Sequence, residues 1–366
     1  MSPGSVILHT ESSVGFGGQE MRIIAESRWL IAHGWRATIV GQPGARLLTE
    51  AARANVPALA VRMRGAWDLV AVLALRRHLR AHQAALVHTH SSVDAWVGGL
   101  AARSLGVPIV RSRHVSIPIP RRRAVVYRLA DRVITSGEAV AAIVRGAGVP
   151  AERVAAIGPG LDTTRFHPTV SGAGVRAELG LRGPAVGLVA NIRGSKGHAY
   201  FLEAARAVVV RRPDARFLIV GDGIGFDDVR RRVKEMDLQS HVIMTGFRRD
   251  VPEVMAALDV LVLPSIKSEA MSQVIPQALA VGTPVVGTTV GGTPELVRDG
   301  ETGRLVPPAD ARALAEAILD LLGAPERARA LARRGQAIVL AEHSIDATMA
   351  RTLAVYEAAR AARGGN

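Results

Sequence analysis

The sequence predicts an α/β chain made of two doubly wound domains, each a parallel sheet with helices on both faces. Three observations carry this. Short apolar runs rich in Val, Ile and Leu recur along the chain and alternate with helix-length segments, the pattern of strands buried on both faces. With 366 residues the chain exceeds one typical core. A stretch rich in Gly, Thr, Ser and Pro, residues 168–183, interrupts the alternation, which then restarts.

In the first domain, Ser5 to His9 reads as a strand and Ser12 to Glu20 as a turn into a helix that runs to about His33 and stops at Gly34. Gly17 and Gly18 let the backbone approach a ligand, and the helix start offers free N–H groups and the positive end of a dipole, although a double glycine after a strand is commonly just a tight turn. Further strands are expected at Ala37–Val40, Ala58–Val61, Ala85–His88, Pro108–Arg111 and Arg132–Ile134. His88, His90 and Asp94 follow one strand end, where a metal reading competes with the simpler one of a loop facing an acceptor. His114 follows the strand Val107–Val110 at its carboxyl end.

The second domain opens with the strand Ala185–Ala190 and a turn carrying Arg193 and Lys196 before a helix from about Ala199 to Arg211. Such cations usually face solvent, but two of them at a strand-to-helix junction suit the developing charge of a diphosphate leaving group. Strands follow at Phe217–Val220, His241–Met244 and Asp259–Leu263. The loop after Pro264 carries Glu269, Ala270, Met271 and Ser272, then come a helix Gln273–Val281, a strand from Pro284 and the turn Gly291-Gly292. Ligands of open α/β sheets bind outside the carboxyl strand ends, so this loop and turn are expected to face one cleft. Helices Ala309–Leu322, Pro325–Leu340 and Ile345–Arg363 close the chain. Gly221, Gly223 and Gly225 do not make a dinucleotide fingerprint, and Gly194-Ser195-Lys196 lacks the glycine spacing of a phosphate-binding P-loop.

Glu269 with Gln277, then Ala280-Val-Gly-Thr-Pro-Val-Val and Val290-Gly-Gly-Thr-Pro-Glu-Leu-Val, resembles the donor-binding signature of the retaining GT-B glycosyltransferases of family 4. Gly17-Gly18-Gln19-Glu20 resembles the family's GG-x-E loop, and Gly158 to Pro168 its hinge-proximal element. The resemblance implies two Rossmann-like domains facing a central cleft, with residues 1–167 on the acceptor side, 168–344 binding a nucleotide-sugar, and 345–366 a helix returning to the first domain. It implies roles too: Gly17 and Gly18 against donor phosphate and sugar, His114 near the sugar, Arg193 and Lys196 on the diphosphate, Gly246, Phe247 and Arg248 at the nucleobase. Gln277 stands where the family has a second Glu on the ribose; the amide keeps an acceptor oxygen but loses the charge. No metal or cofactor is implied. The expected activity is retaining sugar transfer of hexosyl or heptosyl type that uses the donor's own diphosphate and His114 rather than a dedicated nucleophile. The alternatives are a glycan- or lipid-binding protein without turnover and a nucleotide-sugar epimerase, which would need carboxylates around the anomeric centre.

A content of 48% hydrophobic and 21% charged residues is that of an ordinary globular protein. No apolar run approaches the roughly 20 residues of a membrane helix, and the start MSPGSVILHT lacks a signal-peptide pattern, so a cytoplasmic enzyme is expected. The absence of cysteine excludes disulfides, thiolate catalysis and Cys-based zinc sites. Lys plus Arg at 46 against Asp plus Glu at 32 gives +14. Arg76, Arg77 and Arg80 form one run, and Arg111, Arg113, Arg121, Arg122 and Arg123 another. They read either as solvated faces or as a surface for an anionic partner. With only 4% aromatics and no nucleic-acid motif, nucleic acid is not expected, and a phospholipid leaflet or phosphorylated glycolipid is the better candidate. Leu69 to Leu75, beside the first run, is wholly apolar: burial is its expected fate, and any exposed part would give a basic, apolar-edged face. The acceptor expected is a lipid-linked or phosphorylated cell-envelope glycan of lipopolysaccharide type, glycosylated at the inner face of the cytoplasmic membrane.

Overall fold

The structure is a computed structural model that describes residues 3–267 and 269–364, with Arg121 and Gly364 described by their backbone alone. The chain divides into two compact units, Met1–Gly160 with Ile345–Asn366, and Leu161–Ser344.

In the first unit, seven parallel strands form one sheet: β1 Val6–Glu11, β2 Arg36–Gly41, β3 Ala58–Ala60, β4 Ala84–Thr89, β5 Ile109–Arg113, β6 Arg132–Thr135 and β7 Val154–Ala156, in the order β3-β2-β1-β4-β5-β6-β7. Alternation along each strand feeds two cores: Leu8, Val87, Ile109 and Val133 face one side, and Ile7, Leu86, Val110 and Ile134 the other. The last helix, Ile345–Gly364, covers the second side with Met349, Tyr356 and Ala359. The strand order reverses between β1 and β4, and the connections 12–17 and 90–91 leave the sheet at that point.

The second unit repeats the plan with six parallel strands: β8 Ala185–Val189, β9 Arg216–Val220, β10 Val242–Gly246, β11 Val260–Leu263, β12 Val285–Thr288 and β13 Arg304–Val306, in the order β10-β9-β8-β11-β12-β13. Its order reverses between β8 and β11. The unit starts at Leu161 rather than at residue 168, because Leu161 donates its N–H to His343 O at 2.7 Å and Leu161 and Phe166 are buried in the unit's own core.

On the first unit the helix Leu69–Ala81 is started by Asp68, whose carboxylate accepts from Ala71 N at 3.1 Å. It buries Ala71, Leu75 and Leu79 but leaves Leu69, Val70 and Leu73, with Trp67 just ahead of it, 50 to 75% exposed. The run 69–75 is thus divided between core and surface, as the helical repeat requires of a helix lying on one side of a sheet. Arg77 and Arg80 are exposed beyond it and Arg76 is half-buried; Arg122 and Arg123 are exposed as well. Arg111 and Arg113 leave the basic run: Arg111 is buried, donates to Ser91 O at 3.2 Å and lies over the Tyr127 ring, and Arg113 donates to Tyr127 Oη at 3.0 Å. No helix among the described residues is long and apolar enough to cross a membrane.

Candidate active site

In the second unit the loops after β8, β11 and β12 converge. Gly197 adopts a left-handed conformation and comes so close to β11 that a Cβ there would stand 1.8 Å from Pro264 O. Ile266 N donates to Ser195 O at 3.0 Å, and Thr288 Oγ1 to Ser265 O at 2.6 Å. The Gly291-Gly292 turn lies on the Glu269–Ala270 backbone, with Gly292 N donating to Glu269 O at 3.1 Å. These contacts bring two expected site residues together across the strand-order reversal: Lys196 Nζ lies 2.6 Å from Glu269 Oε2, and Ser265 Oγ donates to the same oxygen at 2.6 Å. Both side chains are largely buried. An ammonium has three donors and a carboxylate about four lone-pair sites, so the pair leaves Lys196 donors and Glu269 Oε1 for a ligand. Arg193 is exposed at the head of the same loop, which leads into the helix His198–Arg211. Such a helix start with two cations beside it is suited to an anion.

Ala270 and Met271 are half-buried and Ser272 is buried, while Gln277 is half-buried on the helix Val274–Val281. Gly246 has positive φ, and its carbonyl accepts from Gly221 N at 2.9 Å. Phe247 is exposed. Arg248 is committed elsewhere: it forks onto Glu178 at 2.6 and 2.8 Å and also pairs with Asp250. A nucleobase contact through its guanidinium would have to break that bidentate pair, so only the backbone at 246–248 suits the expected role.

In the first unit Gly17 caps the helix Gly18–Ala32 in extended conformation, with Gly17 N donating to Glu20 Oε2 at 2.8 Å. His88, His90 and Asp94 do not form the acceptor-facing loop expected of them. They are buried, because β4 is central in the sheet and its carboxyl end is covered. Asp94 accepts from His90 N at 2.8 Å, Ser91 N at 2.9 Å and Thr10 Oγ1 at 3.0 Å, which fixes the start of the helix Ser92–Arg103. His88 sits between Tyr356 Oη and Ser112 Oγ, each at 2.8 Å. His90 Nδ1 is 3.1 Å from His114 Nε2, and His90 Nε2 is 2.9 Å from His9 Nδ1. One nitrogen each of His9, His88 and His90 lie within 4.8 Å of one another, so the grouping of metal-ligand type contains His9 and not Asp94. Burial, reinforced by neighbouring cations and histidines, lowers the pKa of His88, His90 and His114 well below the ordinary value; for His9 burial outweighs the opposing charge of Glu26 and lowers it to about 4, so all four are neutral at pH 7.

Sequence reasoning missed His9, Glu11 and His198. His9 and Glu11 alternate along β1 with residues that fill the core, and a buried strand gives no sign of which polar residue will be functional. Burial, and secondarily the charge of Asp94, holds the Glu11 carboxyl up at about 7; it accepts from Ser13 N at 2.6 Å and from Gln19 Nε2. His198 is buried at the start of its helix, and burial together with the Lys196 charge lowers it to about 4.

The family model described as Glycosyl transferases group 1 matches residues 183–324, and that described as Glycosyltransferase Family 4 matches residues 16–165. An alpha-D-kanosaminyltransferase of Streptomyces kanamyceticus is 31% identical over 80% of this chain and 83% of its own. The chain belongs to glycosyltransferase family 4. It is a glycosyltransferase of the GT-B type, of a family that draws on nucleotide-sugar donors. A D-inositol 3-phosphate glycosyltransferase of Streptomyces scabiei is 32% identical over 75% of this chain and 68% of its own. The UDP-Gal:alpha-D-GlcNAc-diphosphoundecaprenol alpha-1,3-galactosyltransferase of Escherichia coli is 28% identical over 65% and 66%. Among solved structures, the HepE protein of Anabaena in complex with UDP shares the fold at a TM-score of 0.86 and 22% identity, over 96% of this chain and 99% of its own.

Proposed function

We propose that this glycosyltransferase moves a hexosyl unit from a nucleotide-sugar to a lipid-linked or phosphorylated glycan, with retention of anomeric configuration and without a metal. The observation that carries the reading is the Lys196–Glu269 pair, flanked by Arg193 and a helix start, at the point where the strand order of the second unit reverses. The diphosphate gains charge as the glycosidic bond breaks, and preorganised cations there act on the transition state more than on the ground state. Glu269 holds Lys196 in place with one oxygen and offers the other to sugar hydroxyls. Gln277 takes the ribose with its amide oxygen, and His114 is assigned to the sugar on the family resemblance. Retention follows if the departing diphosphate itself takes the proton of the attacking hydroxyl on the face it leaves.

The test is turnover with purified protein, a panel of nucleotide-hexoses and an acceptor, the anomeric configuration of the product being read by proton NMR. A retained configuration in metal-free buffer supports the reading. Inversion, or dependence on an added divalent cation, overturns it. Donor binding without transfer or hydrolysis would favour the binding-protein alternative that Gln277 keeps open.

The lipid-linked acceptor is supported by the Escherichia coli relative, named for a diphosphoundecaprenol acceptor, and by the face of Trp67, Leu69, Val70 and Leu73 with Arg77 and Arg80. An exposed apolar cluster next to arginines suits an anionic leaflet, each cation contributing about 1 kcal/mol within a Debye length. Binding to vesicles of anionic phospholipid is expected to fall with salt, and to be lost when Leu69, Val70 and Leu73 become Ser together. No binding at low salt, with efficient transfer to a small soluble acceptor, removes the membrane from the account.

A further inference from the structure

His9, His90 and His114 are joined nitrogen to nitrogen: His9 Nδ1 to His90 Nε2 at 2.9 Å, and His90 Nδ1 to His114 Nε2 at 3.1 Å. The rings lie near parallel in sequence, at 20° between His9 and His90 and 22° between His90 and His114. A neutral imidazole carries one N–H and one lone pair, and each bond of the chain needs one of each. Three neutral rings in series therefore have only two consistent arrangements. Either every ring carries its proton on Nδ1 and donates outward from His9 to His114, or every ring carries it on Nε2 and donates inward. The far end is closed: His9 Nε2 is buried and makes no hydrogen bond among the described residues. The near end is His114, which is half-buried.

We propose that His90 and His9 are positioning residues whose hydrogen-bond chain fixes which nitrogen of His114 carries its proton. His114 then meets its ligand with one fixed polarity, as a donor or as an acceptor at Nδ1. A lone histidine in water exchanges freely between the two forms, so a share of its encounters would present the wrong one. The choice is made at the closed end, where the surroundings of His9 Nε2 favour a bare lone pair or an N–H, and the chain transmits that choice to His114. His88, though it packs against both His9 and His90, is tied to Tyr356 and Ser112 and takes no part.

This rests on the reading of His114 as a ligand-facing group only for its consequence in catalysis; the chain itself can be observed without turnover. Two-bond proton–nitrogen correlation spectra of nitrogen-15-labelled protein at pH 7 report the tautomer of each ring. The expected result is that His9, His90 and His114 are neutral and share one tautomer. Different tautomers among the three, a protonated ring, or a tightly held metal ion on these nitrogens would overturn the proposal. His9→Leu should turn His114 into a mixture of tautomers and lower kcat about tenfold, an effect of ~1.4 kcal/mol, with the donor KM within twofold of wild type. His9→Asn, which returns a polar partner to His90 Nε2, should recover most of that loss. If His9→Leu folds poorly, the wild-type and His9→Asn spectra still decide. An unchanged His114 tautomer in His9→Leu overturns the chain, whereas wild-type turnover in His114→Ala with the shared tautomer intact removes only the catalytic reading.

Discussion

The Lys196–Glu269 pair is the most direct place to perturb the second unit. Lys196→Met and Glu269→Gln, singly and together, form a double-mutant cycle. At 2.6 Å and an effective dielectric of about 20 the gross attraction is ~6 kcal/mol. Desolvation of two charges offsets much of this, because the side chains keep only 15 and 7% of their exposure. Removing one partner leaves the other charge buried without compensation, so each single substitution should cost ~3 kcal/mol, the low end for a pair that retains some contact with water. For a unit of this size that is a fall of roughly 6 to 12 °C in Tm. The double variant should be more stable than the sum of the singles by ~1.5 to 3 kcal/mol. Urea unfolding of the four proteins gives these terms directly. Single-variant losses below ~0.5 kcal/mol with no coupling would refute the argument, and would make the pair no more than a surface contact.

Arg193→Ala should lower kcat/KM about 10²-fold or more, the ~3 to 4 kcal/mol of a lost oxyanion partner, while stability stays within ~0.5 kcal/mol because the side chain is exposed; a normal kcat/KM would remove it from the diphosphate. Glu11 binds its proton in the folded chain up to about pH 7, whereas the unfolded chain releases it near the ordinary carboxyl value. Its stabilising effect is therefore complete at low pH and is lost as pH rises through 7. Glu11→Gln should gain on wild type by up to ~3 kcal/mol between pH 5 and 8. The pH-dependent urea midpoints of both proteins measure this, and a constant gap contradicts it. Gly291→Ala places a Cβ 1.5 Å from Glu269 O at φ +58°, so it should unseat the Glu269 loop and abolish activity; Gly300→Ala, with φ +71° but open space, should cost only ~1 kcal/mol. Equal effects at the two glycines would show that backbone conformation alone matters.

The strands and the converging loops of the second unit were legible because a buried parallel strand is a run of Val, Ile and Leu, and because the Gly291-Gly292 turn marks a backbone approach that tolerates no side chain. The strands Val154–Ala156 and Arg304–Val306 were not, whereas Ala58–Ala60, equally short and also at a sheet edge, falls within the expected Ala58–Val61. Nor was the histidine chain. His9 and His90 are 81 positions apart and meet only because β1 pairs with β4 in the middle of the sheet, a pairing that no local pattern encodes. The acceptor-loop expectation for His88 and His90 failed for the same reason: a strand end looks exposed in sequence until the elements that cover it are known. The pairing of the Arg248 guanidinium was not legible either, because its partner Glu178 lies in the segment taken for a connection.

The central claim is that the loop of Arg193 and Lys196, tied to Glu269, holds the diphosphate of a nucleotide-sugar. Thermal unfolding in the presence of UDP-, GDP- and ADP-hexoses tests it most directly. One nucleobase series should stabilise the wild-type chain by about 2.7 kcal/mol at 100 times its Kd, and the same ligand at the same concentration should lose most of that effect in Lys196→Met and in Arg193→Ala. Stabilisation of equal size in both variants, or none by any nucleotide-sugar in the wild type, would contradict the account.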